Sequence, residues 1–284
     1  MQVMKNKKIG LALSGGGARG LAHIGFLQVL EEAGIHIDLV SGTSFGGIIA
    51  AAYAAGFSVD FLEQEALKLS KIRELIKLID VNPARRGLME GNKVREYMER
   101  LFGADRLIET LPMPLTLNAV DINTGKEVVF SQGPLVTAIM STIAIAGIFP
   151  AVKYQDYLLV DGGTLNNLPI DHVRTMGADV VIAVDVQIDP HHEKVPYLET
   201  IKSHGFFSLP EYFSDFYRAQ IIMINELKEI NLKVHHPDIL IYPDMSPEIN
   251  MFSGFTRAGE VIEAGKKAAC EHLPELLALC RTDV

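Results

Sequence analysis

Residues 37–53 read IDLVSGTSFGGIIAAAY, and the fold turns on how this stretch divides. Residues 38–41 are short and apolar enough for a buried strand, and residues 46–55 are rich in Ala and Ile and helical. Between them lies Gly42-Thr43-Ser44-Phe45-Gly46, a G-x-S-x-G pentapeptide. A serine on a sharp strand-to-helix turn takes a strained backbone conformation, and a Cβ on either flank would collide with the adjoining strand or helix. Ser44 is thus the candidate nucleophile, with Gly42 and Gly46 supporting it. The turn lifts the hydroxyl above the sheet edge, near the positive end of the next helix.

Upstream, residues 8–13 read as a first strand that runs into Ser14-Gly15-Gly16-Gly17-Ala18-Arg19-Gly20. A helix follows over residues 21–33, with Leu21, Ile24, Phe26, Leu27 and Leu30 on its repeat and Gly34 as its stop. A glycine-rich turn entering a helix exposes several backbone N–H groups to an anion. Gly15-x-Gly17-x-x-Gly20 also satisfies the dinucleotide-binding fingerprint, with Asp38 at a ribose-contact distance along the chain. Asp38, however, precedes its strand instead of ending it. The glycines are therefore read as donors for a transient oxyanion.

Downstream, residues 58–69, 72–79 and 92–102 are helical. Residues 115–120 and 127–130 form a hairpin around Asn123-Thr124-Gly125-Lys126. Residues 134–145 return to a helical pattern. Residues 157–160, 179–184 and 238–241 are further strands, and 256–280 a last helix that Pro274 bends or restarts. This order predicts one domain over residues 1–284, a three-layer α/β/α sandwich with a mostly parallel central sheet. Ser44, Asp121, Asp161 and Asp185 fall at carboxyl ends of strands, where open α/β sheets place their sites. Residues 187–236 break the rhythm. Within them GFFSLPEYFSDFYRAQIIMIN (205–225) gathers much of the aromatic content with few charges. It reads either as a helical excursion packed on the sheet or on a second copy of the chain (a homo-oligomer), or as a lid or acyl-chain entry surface.

Composition bounds the classes. The chain has 284 residues, 48% of them hydrophobic, and a formal net charge of -9 with no long basic run, which argues against a nucleic-acid partner. Cys270 and Cys280 suit neither a disulfide framework nor zinc spacing. Residues 9–13 are too short for a secretory apolar segment, and residues 46–57 and 138–152 too short or interrupted for a bilayer span. The expectation is a cytoplasmic protein, peripheral at most at a membrane surface, with no metal and no cofactor.

A serine hydroxyl needs a base within hydrogen-bond reach. His235, His236 and His272 come late in the chain, but the first two read as an exposed turn and the third as helical. His191 and His192 complete no metal set, Arg85-Arg86 reads as a solvated pair, and His23 follows the glycine loop as a structural histidine. Asp161, in Asp161-Gly162-Gly163, is the remaining option, although Asp-Gly is above all a turn signal. Held in a partly desolvated pocket it would accept a proton, with Gly162 and Gly163 allowing close approach. Chemistry alone does not select it.

Taken jointly, these motifs resemble the patatin-like phospholipase family. Gly15-Gly16-Gly17-Ala18-Arg19-Gly20 is similar to its G-G-G-x-R-G loop, Gly42–Gly46 to its elbow, and Asp161-Gly162-Gly163 to its D-G-G/A. STIAIAGIFPAV (141–152) resembles the segment before the aspartate, with Ala146 and Ala151 standing where prolines are common. The resemblance covers roughly residues 9–169 and is nearest to short bacterial single-domain members. It implies a patatin-like fold and a Ser-Asp dyad in which Ser44 attacks a fatty-acyl ester of a lipid or phospholipid and Asp161 takes its proton. It also implies an oxyanion hole from the N–H groups of Gly15, Gly16 and Gly17, an acyl-enzyme, and a loop-fixing role for Arg19. The altered prolines bear on substrate fit. A thioesterase or carboxylesterase, a non-catalytic lipid-binding or regulatory protein, and a nucleotide-binding protein built on residues 15–20 remain the alternatives.

Overall fold

The computed structural model describes residues 7–80, 88–190 and 211–280, the side chains of the last segment from residue 214 onward. Its sheet contains β1 (Ile9–Leu13), β2 (Leu39–Gly42), β3 (Leu115–Asp121), β4 (Lys126–Phe130), β5 (Val152–Tyr154), β6 (Tyr157–Asp161), β7 (Val180–Val184) and β8 (Ile239–Ile241). The order is β5-β6-β3-β2-β1-β7-β8, with β4 also paired to β3. Strands β3, β2, β1, β7 and β8 run parallel, as their apolar, doubly buried character predicts. Beyond β3 the sheet turns antiparallel, because β4 returns through a tight hairpin and β5–β6 form another. The sheet is thus mixed, and β5 is a strand that the sequence pattern did not reveal.

Side-chain alternation assigns the layers. Ile9, Leu11 and Leu13 of β1 join Val40, Val180, Ile182 and Val184 in the main core on one face. That face carries α1 (Ala22–Glu32), α2 (Ser44–Ala54), α3 (Val59–Leu69), α5 (Asn92–Phe102), α6 (Leu135–Thr142) and α9 (Ala258–Glu271), with α1 laid against α9; the short α4 (Ile72–Ile76) follows α3. Ala12, Leu39, Val181 and Ala183 point the other way and meet Leu168, Ile170 and Val173 around α7 (Ile170–Thr175). Helices thus cover both faces of a central sheet, the expected three layers. The C-terminal helix is two helices: α9 stops at Glu271 and α10 (Leu273–Cys280) restarts with Pro274 in its first turn, where a missing N–H costs nothing.

The excursion contains α8 (Glu211–Val234), a helix of 24 residues. Its inner face carries Tyr217 and Ile221 into a small cluster with Ile148, Ile188 and Met251. Lys228 on that face forms a fully buried ion pair with Asp185 Oδ2 at 2.7 Å and donates to Asn225 Oδ1. Asp185, at the end of β7, therefore anchors α8 rather than facing Ser44. Residues 191–210 of the excursion, Arg85-Arg86 and His191-His192 lie outside the described residues. Among the described residues, no helix is long and apolar enough to cross a membrane.

Candidate active site

Ser44 sits two residues beyond the end of β2 and opens α2 with φ +54°, inside the left-handed region that a β-carbon disfavours. Such strain persists only where the surroundings over-determine it. Here the Ser44 N–H donates to Thr142 Oγ1 at 2.9 Å, and Thr43 Oγ1 contacts both Asn118 Oδ1 (2.8 Å) and Asn166 O (3.0 Å). The flanking glycines are needed as anticipated. A Cβ on Gly46 would strike the backbone oxygen of Ser14, and one on Gly42 would lie 2.5 Å from Gly46 O.

Strand register brings the aspartate to the serine. Gly42, the last residue of β2, pairs with Leu117 of β3, and two residues further along β3 Ala119 pairs with Asp161 at the end of β6. The Ser44 hydroxyl donates to Asp161 Oδ2 at 2.6 Å, while the Gly163 N–H donates to Oδ1 at 2.8 Å. Gly162 packs so closely on Asn118 that a Cβ there would meet its side chain and carbonyl. Both Ser44 and Asp161 are buried, at 6% and 7% exposure. Burial pushes the Asp161 carboxyl up from 3.8 to about 7, against the opposing hydrogen bonds from Ser44 and Gly163. Half ionised near neutrality, it is poised to accept a proton.

The glycine loop lies across the same opening. Gly16, Gly17, Ser44, Asp161, Gly163 and Asn167 line one pocket. Gly15 departs from expectation: its N–H donates to Asn167 O at 3.1 Å and its carbonyl accepts from Asn167 Nδ2 at 3.2 Å. Its donor is spoken for, which leaves the N–H groups of Gly16 and Gly17 as those without a partner among the described residues. Gly17 has φ +58° and lies so near the Met251 backbone that a Cβ would sit 2.7–2.9 Å from it. Arg19 is buried, donating from Nε to Val186 O at 2.8 Å and from Nη1 to Ile249 O at 3.1 Å. It ties the loop to two neighbouring segments.

The other candidates fall elsewhere. Asp121 closes the β3–β4 hairpin, where the N–H of Leu158, followed by the Thr124 hydroxyl, holds its carboxyl below the usual range. Asp38 accepts from the Ile9 N–H at the start of β1, the opposite end of the strand from the glycine loop, so the ribose contact of the dinucleotide fingerprint is not formed. His23 is fully buried and paired with Ser14 O, and burial lowers it to about 4. His272 Nδ1 pairs with Ala268 O in its own helix. Among the described residues no histidine bonds to Ser44.

Sequence reasoning missed the polar belt around the elbow: Asn118, Thr142, Asn166 and Asn167. An asparagine inside the apolar run of β3 (LTLNAVD) was the available signal, since a buried amide demands partners. Asn118 Nδ2 extends the belt to Glu127 Oε1, and Asn166 Nδ2 extends it to Asp171 Oδ1. These two carboxylates and His172 bring ligand-type atoms within 4.8 Å of one another. Burial pulls His172 down, but Glu127 and Asp171 more than offset this and raise its pKa, which fits an ionic brace behind the elbow.

Residues 11–174, more than half of the chain, match the family described as patatin-like phospholipase. An uncharacterized NTE family protein of Mycobacterium tuberculosis is 37% identical over 179 residues, which cover 63% of this chain and 49% of that protein. Human patatin-like phospholipase domain-containing protein 6 is 36% identical over 189 residues, covering 65% of this chain and 14% of its own. Lysophospholipase nte1 of Aspergillus fumigatus is 32% identical over 206 residues, 72% of this chain and 13% of its own. The matched regions are thus half or less of each relative.

Proposed function

We propose, from the premise that this chain belongs to the patatin-like phospholipase family, that it hydrolyses fatty-acyl esters of lipids through Ser44 and Asp161. The single observation that carries this reading is the 2.6 Å hydrogen bond from the Ser44 hydroxyl to Asp161 on a left-handed elbow. A lysophospholipase among the relatives supports a lipid as substrate.

In this mechanism Ser44 Oγ attacks the ester carbonyl carbon while its proton passes to Asp161 Oδ2. The carbonyl π electrons move to oxygen, and the N–H groups of Gly16 and Gly17 stabilise the oxyanion, with the α2 dipole adding to the field. Collapse breaks the ester C–O bond, and Asp161 returns the proton to the departing alcohol. Water then attacks the acyl-enzyme with Asp161 again as base, releasing the fatty acid and restoring the serine. The elevated Asp161 pKa suits both roles, since a base matched to ambient pH takes and returns the proton at comparable cost.

The test is hydrolysis of short- and long-chain p-nitrophenyl esters by the wild type, Ser44→Ala and Asp161→Asn. Loss of several orders of magnitude in both variants supports the reading. A dead Ser44→Ala beside an active Asp161→Asn overturns the role of Asp161, and rates no different from a buffer blank in all three overturn the hydrolase. A long-chain preference favours a lipid hydrolase over a general esterase.

A further inference from the structure

The outward face of α8 is apolar where a surface helix is ordinarily polar. Met223, Leu227, Ile230 and Val234 recur at spacings of four, three and four, which align them in one stripe. Each is more than one-third exposed, Val234 most of all at 65%. The inner face is a separate row made of Tyr217, Ile221, Asn225 and Lys228, so the stripe is not misplaced core.

What distinguishes the stripe is its neighbour on the helix. Gln220 and Ile224 line the pocket that holds Ser44 and Asp161. At 100° per residue they come next to the stripe, with Gln220 one turn before Met223 and Ile224 one turn before Leu227. Ile224 therefore joins the pocket to the exposed row through an apolar side chain, with the Gln220 amide beside it. The charged residues Asp215, Glu226 and Lys233 fall along the far border of the stripe and are of mixed sign, so they present no basic field. A second copy of the chain seated on the stripe would crowd the pocket opening, whereas a lipid surface there would deliver acyl chains to it.

We infer that the Met223–Leu227–Ile230–Val234 stripe seats the protein on the apolar boundary of a lipid bilayer, with binding driven by burial of these side chains and indifferent to anionic headgroups. This deepens the proposed lipid hydrolysis and rests on it for the identity of the occupant. An interfacial helix of this kind lies in the plane of the headgroups with its apolar row in the acyl boundary.

The experiment is flotation of the full chain with phosphatidylcholine vesicles, with and without added phosphatidylglycerol, at low and high salt. It compares the wild type with Leu227→Glu and Ile230→Glu, residues outside the pocket, and with Ile230→Leu as a conservative control. The expected result is wild-type binding that changes little with phosphatidylglycerol or salt, and a loss of roughly ten- to hundred-fold in each Glu variant. Ile230→Leu retains binding, and hydrolysis of a soluble short-chain ester is unchanged in all of them. Wild-type flotation that demands phosphatidylglycerol and vanishes in salt overturns the inference. So does a wild-type dimer that the Glu variants break while vesicle binding stays the same. Active wild type that never floats refutes the stripe and leaves the hydrolase standing, whereas flotation without ester turnover refutes the hydrolase alone.

Discussion

Replacing Asp161 with asparagine should make the protein inactive yet more stable above neutrality. Burial lifts the Asp161 carboxyl from 3.8 to about 7, so the folded chain holds a proton that the unfolded chain releases between those values. A group whose folded pKa is raised favours the native state while protonated. The wild type should therefore lose stability as pH climbs from about 4 to about 7 and lose no more from this source above that window. About three units at 1.36 kcal/mol each give roughly 4 kcal/mol, a balance in which desolvation already outweighs the hydrogen bonds from Ser44 and Gly163. Asparagine matches the shape, carries no charge, and retains both contacts. Its Oδ1 accepts from the Gly163 N–H, and its amide group donates to Ser44 Oγ, which turns from donor to acceptor. The assay is urea unfolding of both proteins from about pH 4 to about pH 9. The variant should match the wild type at the acid end and exceed it by a few kcal/mol at the alkaline end. In parallel, wild-type kcat/KM should rise with pH through an apparent pKa near 7. Parallel stability curves over the whole range, or a rate inflection near 4, would refute the argument that desolvation governs this carboxyl.

Gly17→Ala combines a positive φ with a Cβ driven against the Met251 backbone, so the loop must shift and turnover should fall on the order of 10²–10³-fold, read as kcat on a soluble ester. Lys228→Met leaves Asp185 charged and buried without its partner, and denaturant unfolding should show a loss of about 3–5 kcal/mol. Arg19→Lys keeps the charge but replaces a fork that spans Val186 O and Ile249 O with a single ammonium. It should lower activity through the loop without abolishing Ser44 labelling by a fluorophosphonate, which mass spectrometry reads directly.

The elbow, the glycine loop and Asp161-Gly162-Gly163 were all legible along the chain, because each is a local steric demand written in adjacent residues. Gly46 is required by the Ser14 carbonyl, and Gly42 by the backbone of Gly46. Apolar runs likewise announced the parallel strands. What stayed hidden was long-range. The serine and the aspartate are 117 residues apart in sequence, and only the pairing of β2 and β6 on either side of β3 brings the two strand ends together. Asp121, Asp161 and Asp185 are equivalent strand-end acids in the sequence. The fold turns the first into a hairpin cap, buries the second against Ser44 and gives the third a lysine from α8.

The same division holds for the finer parts of the site. Three adjacent glycines look like three donors, yet Asn167, more than a hundred residues on, occupies the N–H of Gly15 and leaves the next two. Asn118 and Thr142, which hold Thr43 and the Ser44 N–H, carry no motif because a buried amide or hydroxyl gains its role from whatever tertiary packing sets beside it. The aromatic excursion was visible as a break in rhythm, but which side of α8 meets the core and which meets solvent depended on the buried Lys228–Asp185 pair. Sequence alone determined the backbone geometries that small residues permit. Tertiary structure decided which distant polar groups share a desolvated space, because burial, and with it the pKa of Asp161, is a property of the packed surroundings and of no single stretch of chain.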